Sequence, residues 1–190
     1  MSENKVEILD SFLPENEFRR ISEVLMGPEF PWYLQFGVPY KEDEELQQKI
    51  EPDPSDFYLT HIMFQGGVIK SNFIDLCLPI TKKLEIYLIS RINVNLYPHT
   101  DRNYAHGFHI DTDDDLLSAV FYVNTNNGFT LFGDGEKVNS VENRICIFPS
   151  GLPHSSVTCT DSSARVVVSL AFAKPNKRNR HPQNTKGFYI

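Results

Sequence analysis

Between Arg91 and Ala173 the chain turns back on itself again and again. Arg91-Ile-Asn-Val-Asn-Leu-Tyr97 alternates apolar and polar residues. Further short runs rich in strand formers follow: Leu116 to Val123, Gly128 to Phe132, Arg144 to Phe148, Ser155 to Cys159 and Arg165 to Ala173. Asn127-Gly128 marks one turn between them, and Asp134-Gly135 a tight hairpin. Two helical segments stand ahead of these strands. The pattern fits a mainly β (α+β) chain built as a jelly roll, a double-stranded β-helix with helices packed on one outer face.

The first half supplies the helices. Lys5-Val-Glu-Ile-Leu9 alternates and predicts a short strand. Pro14 suits a helix start and Gly27 its end, with Phe18, Ile21, Val24 and Leu25 as one apolar stripe. Trp32 and Tyr33 follow in an aromatic cluster, which is core material or faces a substrate. Lys41 to Asp56 is acidic and carries two prolines, so it predicts a solvated loop with a turn of helix in Glu44–Ile50. Phe57 to Phe64 predicts a strand ending at Gly66-Gly67, with His61 as a structural residue. Ser71 can cap a second helix carrying Phe73, Ile74, Cys77 and Leu78, which Pro79 kinks and Ile80, Leu84 and Leu88 continue.

Chemistry concentrates in the second half. His109 and Asp111 are two apart, so on a strand they point to one face. Such a pair is cheap: six His and twelve Asp in 190 residues give roughly 0.4 by chance. Its surroundings lift it. His154 follows a Pro149–Pro153 turn and can join the pair if the strands fold back. Two imidazoles and one carboxylate leave one face of a metal open, the arrangement that suits non-haem Fe(II) and oxygen chemistry. His106 has the opposite parity and should face away, while His61, His99 and His181 are uninvolved.

At these residues, with Asn95-Leu-Tyr97, Ala119 to Asn124 and Arg165 around them, the chain resembles the Fe(II)/2-oxoglutarate-dependent oxygenase superfamily. Within it the chain is most similar to the small prolyl-hydroxylase-like branch, which includes members from marine phages and bacteria. Leu13-Pro14…Phe18 and Asn124-Thr-Asn-Asn-Gly128 look like those members too, so the resemblance spans nearly the whole chain. It implies Fe(II), 2-oxoglutarate as co-substrate and O2. Metal ligands would be His109, Asp111 and His154. It implies hydroxylation of a peptide side chain or small metabolite, with release of succinate and CO2. The far carboxylate of 2-oxoglutarate needs a cation, and Arg165 is suited because guanidinium grips carboxylate with two hydrogen bonds. The resemblance also points to Tyr97, Tyr122 and Asn95 beside the co-substrate. Nucleic-acid demethylases of the superfamily carry Arg-x-Asn-x-x-x-Arg after the last His; here Arg165 is followed by Val-Val-Val-Ser169. A cupin-like metal isomerase and a non-catalytic binding module are the alternatives on the same fold.

Composition sets the remaining bounds. Residues 1–173 read as one domain, and 174–190 as a basic tail or strap. A net charge of −7 argues against a duplex-DNA binder. Asp113 and Asp114, directly after the ligands, favour a neutral or cationic small-molecule or peptide substrate. The sequence contains no apolar run long enough for a membrane span and no apolar leader, which places the chain in the cytoplasm. Cys77, Cys146 and Cys159 lack CxxC spacing and read as reduced core residues. The sequence sets no oligomeric state and allows a homodimer.

Overall fold

The computed structural model describes residues 6–37, 57–112 and 114–175. Among these residues eleven strands form two antiparallel sheets. The larger sheet takes β1 (Glu7–Leu9), β2 (Tyr33–Phe36), β3 (Phe57–Gln65), β4 (Val68–Ile69), β5 (Leu88–Pro98), β6 (Leu117–Tyr122), β9 (Arg144–Pro149) and β11 (Ala164–Ala173). Its order is β1-β9-β6-β11-β5-β3-β2, with β4 paired to β3. The smaller sheet runs β10 (His154–Val157), β7 (Phe129–Phe132) and β8 (Lys137–Asn139) in the order β10-β7-β8.

Alternation along the strands sorts the two faces of the larger sheet. On the outer face Ile92 and Val94 of β5, Phe121 of β6, Ile145 and Ile147 of β9 and Val166, Val168 and Leu170 of β11 join one buried cluster. Helix α1 (Glu15–Leu25) lays Phe18, Ile21 and Leu25 on it, and the short helix α2 (Leu78–Lys83) adds Ile80. On the inner face Tyr97, Val120, Tyr122, Cys146, Phe148 and Val167 meet Phe132 and Val138 of the smaller sheet. Helices therefore cover one side and the second sheet closes the other, as the pattern predicts for a double-stranded β-helix.

Most expected elements are present, with local corrections. Leu88 does not continue a helix stripe. It opens β5 and is exposed, because a left-handed turn at Glu85 ends α2's run. Ser71 caps a turn through its hydroxyl to Phe73 N (3.0 Å), and the segment begins as a 3-10 turn, Ile74–Cys77, before Pro79 enters α2's first turn. Strands β2, β4 and β8 were not expected. The three cysteines are free and buried. Among the described residues no helix is long and apolar enough to cross a membrane. Glu44–Ile50 and the tail beyond Pro175 lie outside the described residues.

Asn143 ties the β1–α1 connection to the sheet. Its side chain accepts from Leu13 N (2.8 Å) and donates to Leu13 O (2.8 Å), while its backbone adopts φ 58°. Asn is among the few residues that tolerate this conformation. Asn143→Ala should destabilise the fold by about 2–4 kcal/mol, since it orphans two buried backbone groups and strains the new residue. Urea unfolding checks this.

Candidate metal centre and anion pocket

His109, Asp111 and His154 converge between the sheets. Their donor atoms all lie within 4.8 Å of one another. The segment that carries His109 and Asp111 is not a regular strand, contrary to the alternation argument. It is held by single pairings: His109 N to His154 O and His154 N to His109 O, both 3.0 Å, and Asp111 N to Ser150 O, 3.0 Å. His109 thus sits directly across from His154, and their rings approach to 4.4 Å between centroids. Phe148 and Phe132 pack on His154 and wall the site.

Hydrogen bonds select the donor atoms. His154 Nδ1 faces Leu152 O at 2.9 Å and His109 Nδ1 faces Gly107 O at 3.4 Å. A nitrogen against a carbonyl carries the proton, which leaves each Nε2 lone pair free for a metal. His154 Nε2 lies 3.9 Å from Asp111 Oδ2. Ser118 donates to Oδ2, and Arg91 Nη2 donates to Oδ1. Burial and the neighbouring His154 push His109 down to about 4. Burial also lowers His154, against the pull of Asp111. Burial alone would raise Asp111, but Arg91 and the two imidazoles hold it at about 2. All three donors are therefore free of protons at neutral pH, as ligation requires. Two imidazoles and one oxygen suit a first-row ion such as Fe(II).

Arg165 lies further along the same interior and is completely buried. Its guanidinium sits 5.2 Å from the Tyr97 ring and 5.6 Å from the Tyr122 ring. Nε donates to Ser140 Oγ (2.8 Å) and Nη2 to Thr130 Oγ1 (3.1 Å). Nη1 has no partner among the described residues, and no carboxylate pairs with the group there. Tyr122 OH bonds to Thr130 Oγ1 (2.8 Å), so it reaches Arg165 through that hydroxyl. Tyr97 OH accepts from Ser156 (2.9 Å), and burial raises its pKa against the opposing Arg165 charge. Asn95 Oδ1 accepts from Thr60 (2.8 Å).

The other expected site residues are scattered. Trp32 packs edge-on against Phe30 at 4.8 Å beside the outer core. Tyr33 is 61% exposed on the edge strand β2. Asp114 is exposed and bonds Thr112, while Asp113 lies outside the described residues. His106 is buried against Tyr97 and Tyr104, and His61 bridges Pro31 O and Ser71, so neither joins the cluster. Arg91 and Ser118 were missed. Alternation along Arg91–Tyr97 puts Arg91 on the same face as Tyr97, and Ser118 shares a face with Tyr122.

No family model matches the sequence, and no curated protein does. Solved structures do match. A 2OG-Fe(II) oxygenase family oxidoreductase from Burkholderia pseudomallei aligns with TM-score 0.62 at 12% identity, covering 92% of this chain and 87% of that one. The fold is that of the 2OG-Fe(II) oxygenases. A Trichoplax adhaerens prolyl hydroxylase in complex with a hypoxia inducible factor peptide fragment aligns with TM-score 0.59 at 13% identity, covering 90% and 84%. The non-heme alpha ketoglutarate dependent epimerase SnoN from nogalamycin biosynthesis aligns with TM-score 0.62 at 11% identity, covering 90% and 79%. One scaffold thus serves more than one outcome.

The convergence predicts stoichiometric Mn(II) or Fe(II) binding by calorimetry under anaerobic conditions. His154→Ala should abolish it and His99→Ala, on a surface loop, should not. Tight binding retained by His154→Ala would put the metal elsewhere.

Proposed function

We propose that this chain is an Fe(II)- and 2-oxoglutarate-dependent dioxygenase that hydroxylates a peptide side chain or a small metabolite, releasing succinate and CO2. The observation that carries the reading is Arg165 Nη1, a buried cationic donor without a partner among the described residues, on the same interior as three convergent ligand atoms. Leaving such a group unsatisfied costs about 1–3 kcal/mol or more, which an incoming carboxylate removes. A binding module or cupin-like isomerase has no need of that cation.

When bound, iron with 2-oxoglutarate and O2 would supply the oxidising chemistry: the keto acid would lose CO2 and take one oxygen atom to become succinate, and the other oxygen atom would enter the substrate C–H bond. The chain does the rest. His109 and His154 offer Nε2, and Arg91 and Ser118 hold Asp111 charged and oriented. Arg165 takes the far carboxylate, with Tyr97, Tyr122 and Asn95 lining the path and Phe132 and Phe148 excluding water. The peptide bound by the Trichoplax prolyl hydroxylase supports a peptide or small-molecule substrate here. Tyr33 and Asp114, both exposed, are the residues assigned to meet it, with Trp32, and with Asp113 outside the described residues.

Purified protein with Fe(II), O2 and 2-oxoglutarate should release succinate even without prime substrate. No succinate from metal-loaded protein would contradict the reading. Arg165→Leu should raise the 2-oxoglutarate Kd at least about tenfold while metal affinity is kept, because a charge-assisted bond is worth about 1.5–3 kcal/mol. Unchanged affinity would show that the cation for the co-substrate lies elsewhere.

A further inference from the structure

The segment Asn124-Thr-Asn-Asn-Gly128 stands apart in the sequence, and nothing so far gives it a task. Its alternate residues all converge on Arg165. Asn124 Oδ1 accepts from Val166 N (2.9 Å), and its Nδ2 donates to Ala164 O (2.8 Å). One amide side chain thus clamps the backbone on both sides of Arg165. Asn126 is buried, and its Oδ1 accepts from Gly128 N (3.0 Å). Asn126 N bonds Ser140 O (3.2 Å) and Ser140 N bonds Gly128 O (3.0 Å), which locks the segment to the residue whose hydroxyl receives Arg165 Nε.

Gly128 gives the strongest constraint. A Cβ built there would lie 2.8 Å from Arg165 Cδ, 2.8 Å from Asn126 Oδ1 and 2.8 Å from Val157 O. Carbon and oxygen atoms do not approach that closely without bond, so an added methyl displaces the arginine stem or the β10 backbone. The space that glycine leaves is the space in which the stem turns. Rings of Tyr97 and Tyr122 flank the guanidinium, so the arginine has little freedom left once the stem is fixed.

We infer that Asn124, Gly128 and Ser140 are positioning residues: they form a socket that fixes the Arg165 stem and aims Nη1 at the far carboxylate of a dicarboxylate keto acid. The inference rests on the co-substrate reading above and deepens it. A socket that acts through Arg165 affects only ligands that reach Arg165. It should discriminate between 2-oxoglutarate and 2-oxobutyrate, which share the keto-acid end and differ in the second carboxylate. General damage to the fold or the metal site would weaken both.

The experiment uses full-length protein loaded anaerobically with Mn(II), with both keto acids titrated by calorimetry. Wild type should bind 2-oxoglutarate more tightly than 2-oxobutyrate. Gly128→Ala should weaken 2-oxoglutarate about tenfold or more and leave 2-oxobutyrate and Mn(II) affinity within about twofold, since tenfold corresponds to one lost charge-assisted bond. Ser140→Ala adds no bulk and should shift the same ligand in the same direction, so it decides the matter should Gly128→Ala fail to fold. Ser140→Thr, which keeps the hydroxyl, should restore most of the affinity. Equal weakening of both keto acids, or no weakening of either, would overturn the socket. Wild type that binds neither acid would overturn the co-substrate reading itself and the socket with it; wild type that binds both equally would take the far carboxylate away from Arg165.

Discussion

A guanidinium with no exposure, and with no carboxylate beside it among the described residues, is the constraint around which the interior is arranged. Burying an ion costs several kcal/mol even after relaxation, and the cost is met only by good partners. Here the partners are two neutral hydroxyls and two aromatic faces. They come from β5, β6, β7 and the stretch before β9, so both sheets must close before the charge is sheltered. Among the described residues the partners satisfy two of the three guanidinium nitrogens and leave Nη1 without one. A chain selected only for stability would do better with an apolar residue there.

The opposite pole of the interior is built to the reverse pattern. Asp111 is held charged, with Arg91 on one oxygen and the Ser118 hydroxyl on the other. Two imidazoles beside it are kept neutral, with Nδ1 bound to backbone carbonyls. One pole offers three convergent donor atoms, and the other is a cation with no carboxylate partner among the described residues. A dicarboxylate keto acid would answer both at once: one end would chelate a metal held by the three donors, and the other would pair with the arginine. Neither pole alone distinguishes an oxygenase from a metal-binding relative on the same scaffold. Their presence on one sheet-lined interior is what supports the oxygenase proposed above.

Much of this was legible from residue order because it depends on local rules. The resemblance pointed to Tyr97, Tyr122 and Arg165, and strand pairing sets them side by side on one face: Arg165 pairs with Tyr97 and Val167 with Tyr122. The helix stripe of Phe18, Ile21 and Leu25 packs as read. What failed to show depends on distant contacts. His109 and Asp111 share a site because β10 and Ser150 hold their backbone, not because they lie on a regular strand. Leu88 looked helical by spacing, yet pairing with Ala173 draws it into β5. Strand β8 is three residues long and exists only because β7 offers it an edge. Trp32, partly buried, packs edge-on against Phe30, a contact that no spacing marks. Arg91 was within reach of the alternation rule, but its partner Asp111 is 20 residues away and no spacing marks the pair.

The most direct measurement is a crystal structure of the protein soaked anaerobically with Mn(II) and 2-oxoglutarate, with anomalous data at the manganese edge. The account predicts one anomalous peak within bonding distance of His109 Nε2, an Asp111 carboxylate oxygen and His154 Nε2. It also predicts a carboxylate of the keto acid hydrogen-bonded to Arg165 Nη1. A peak on other residues, or a keto acid that leaves Nη1 without a partner, would contradict it.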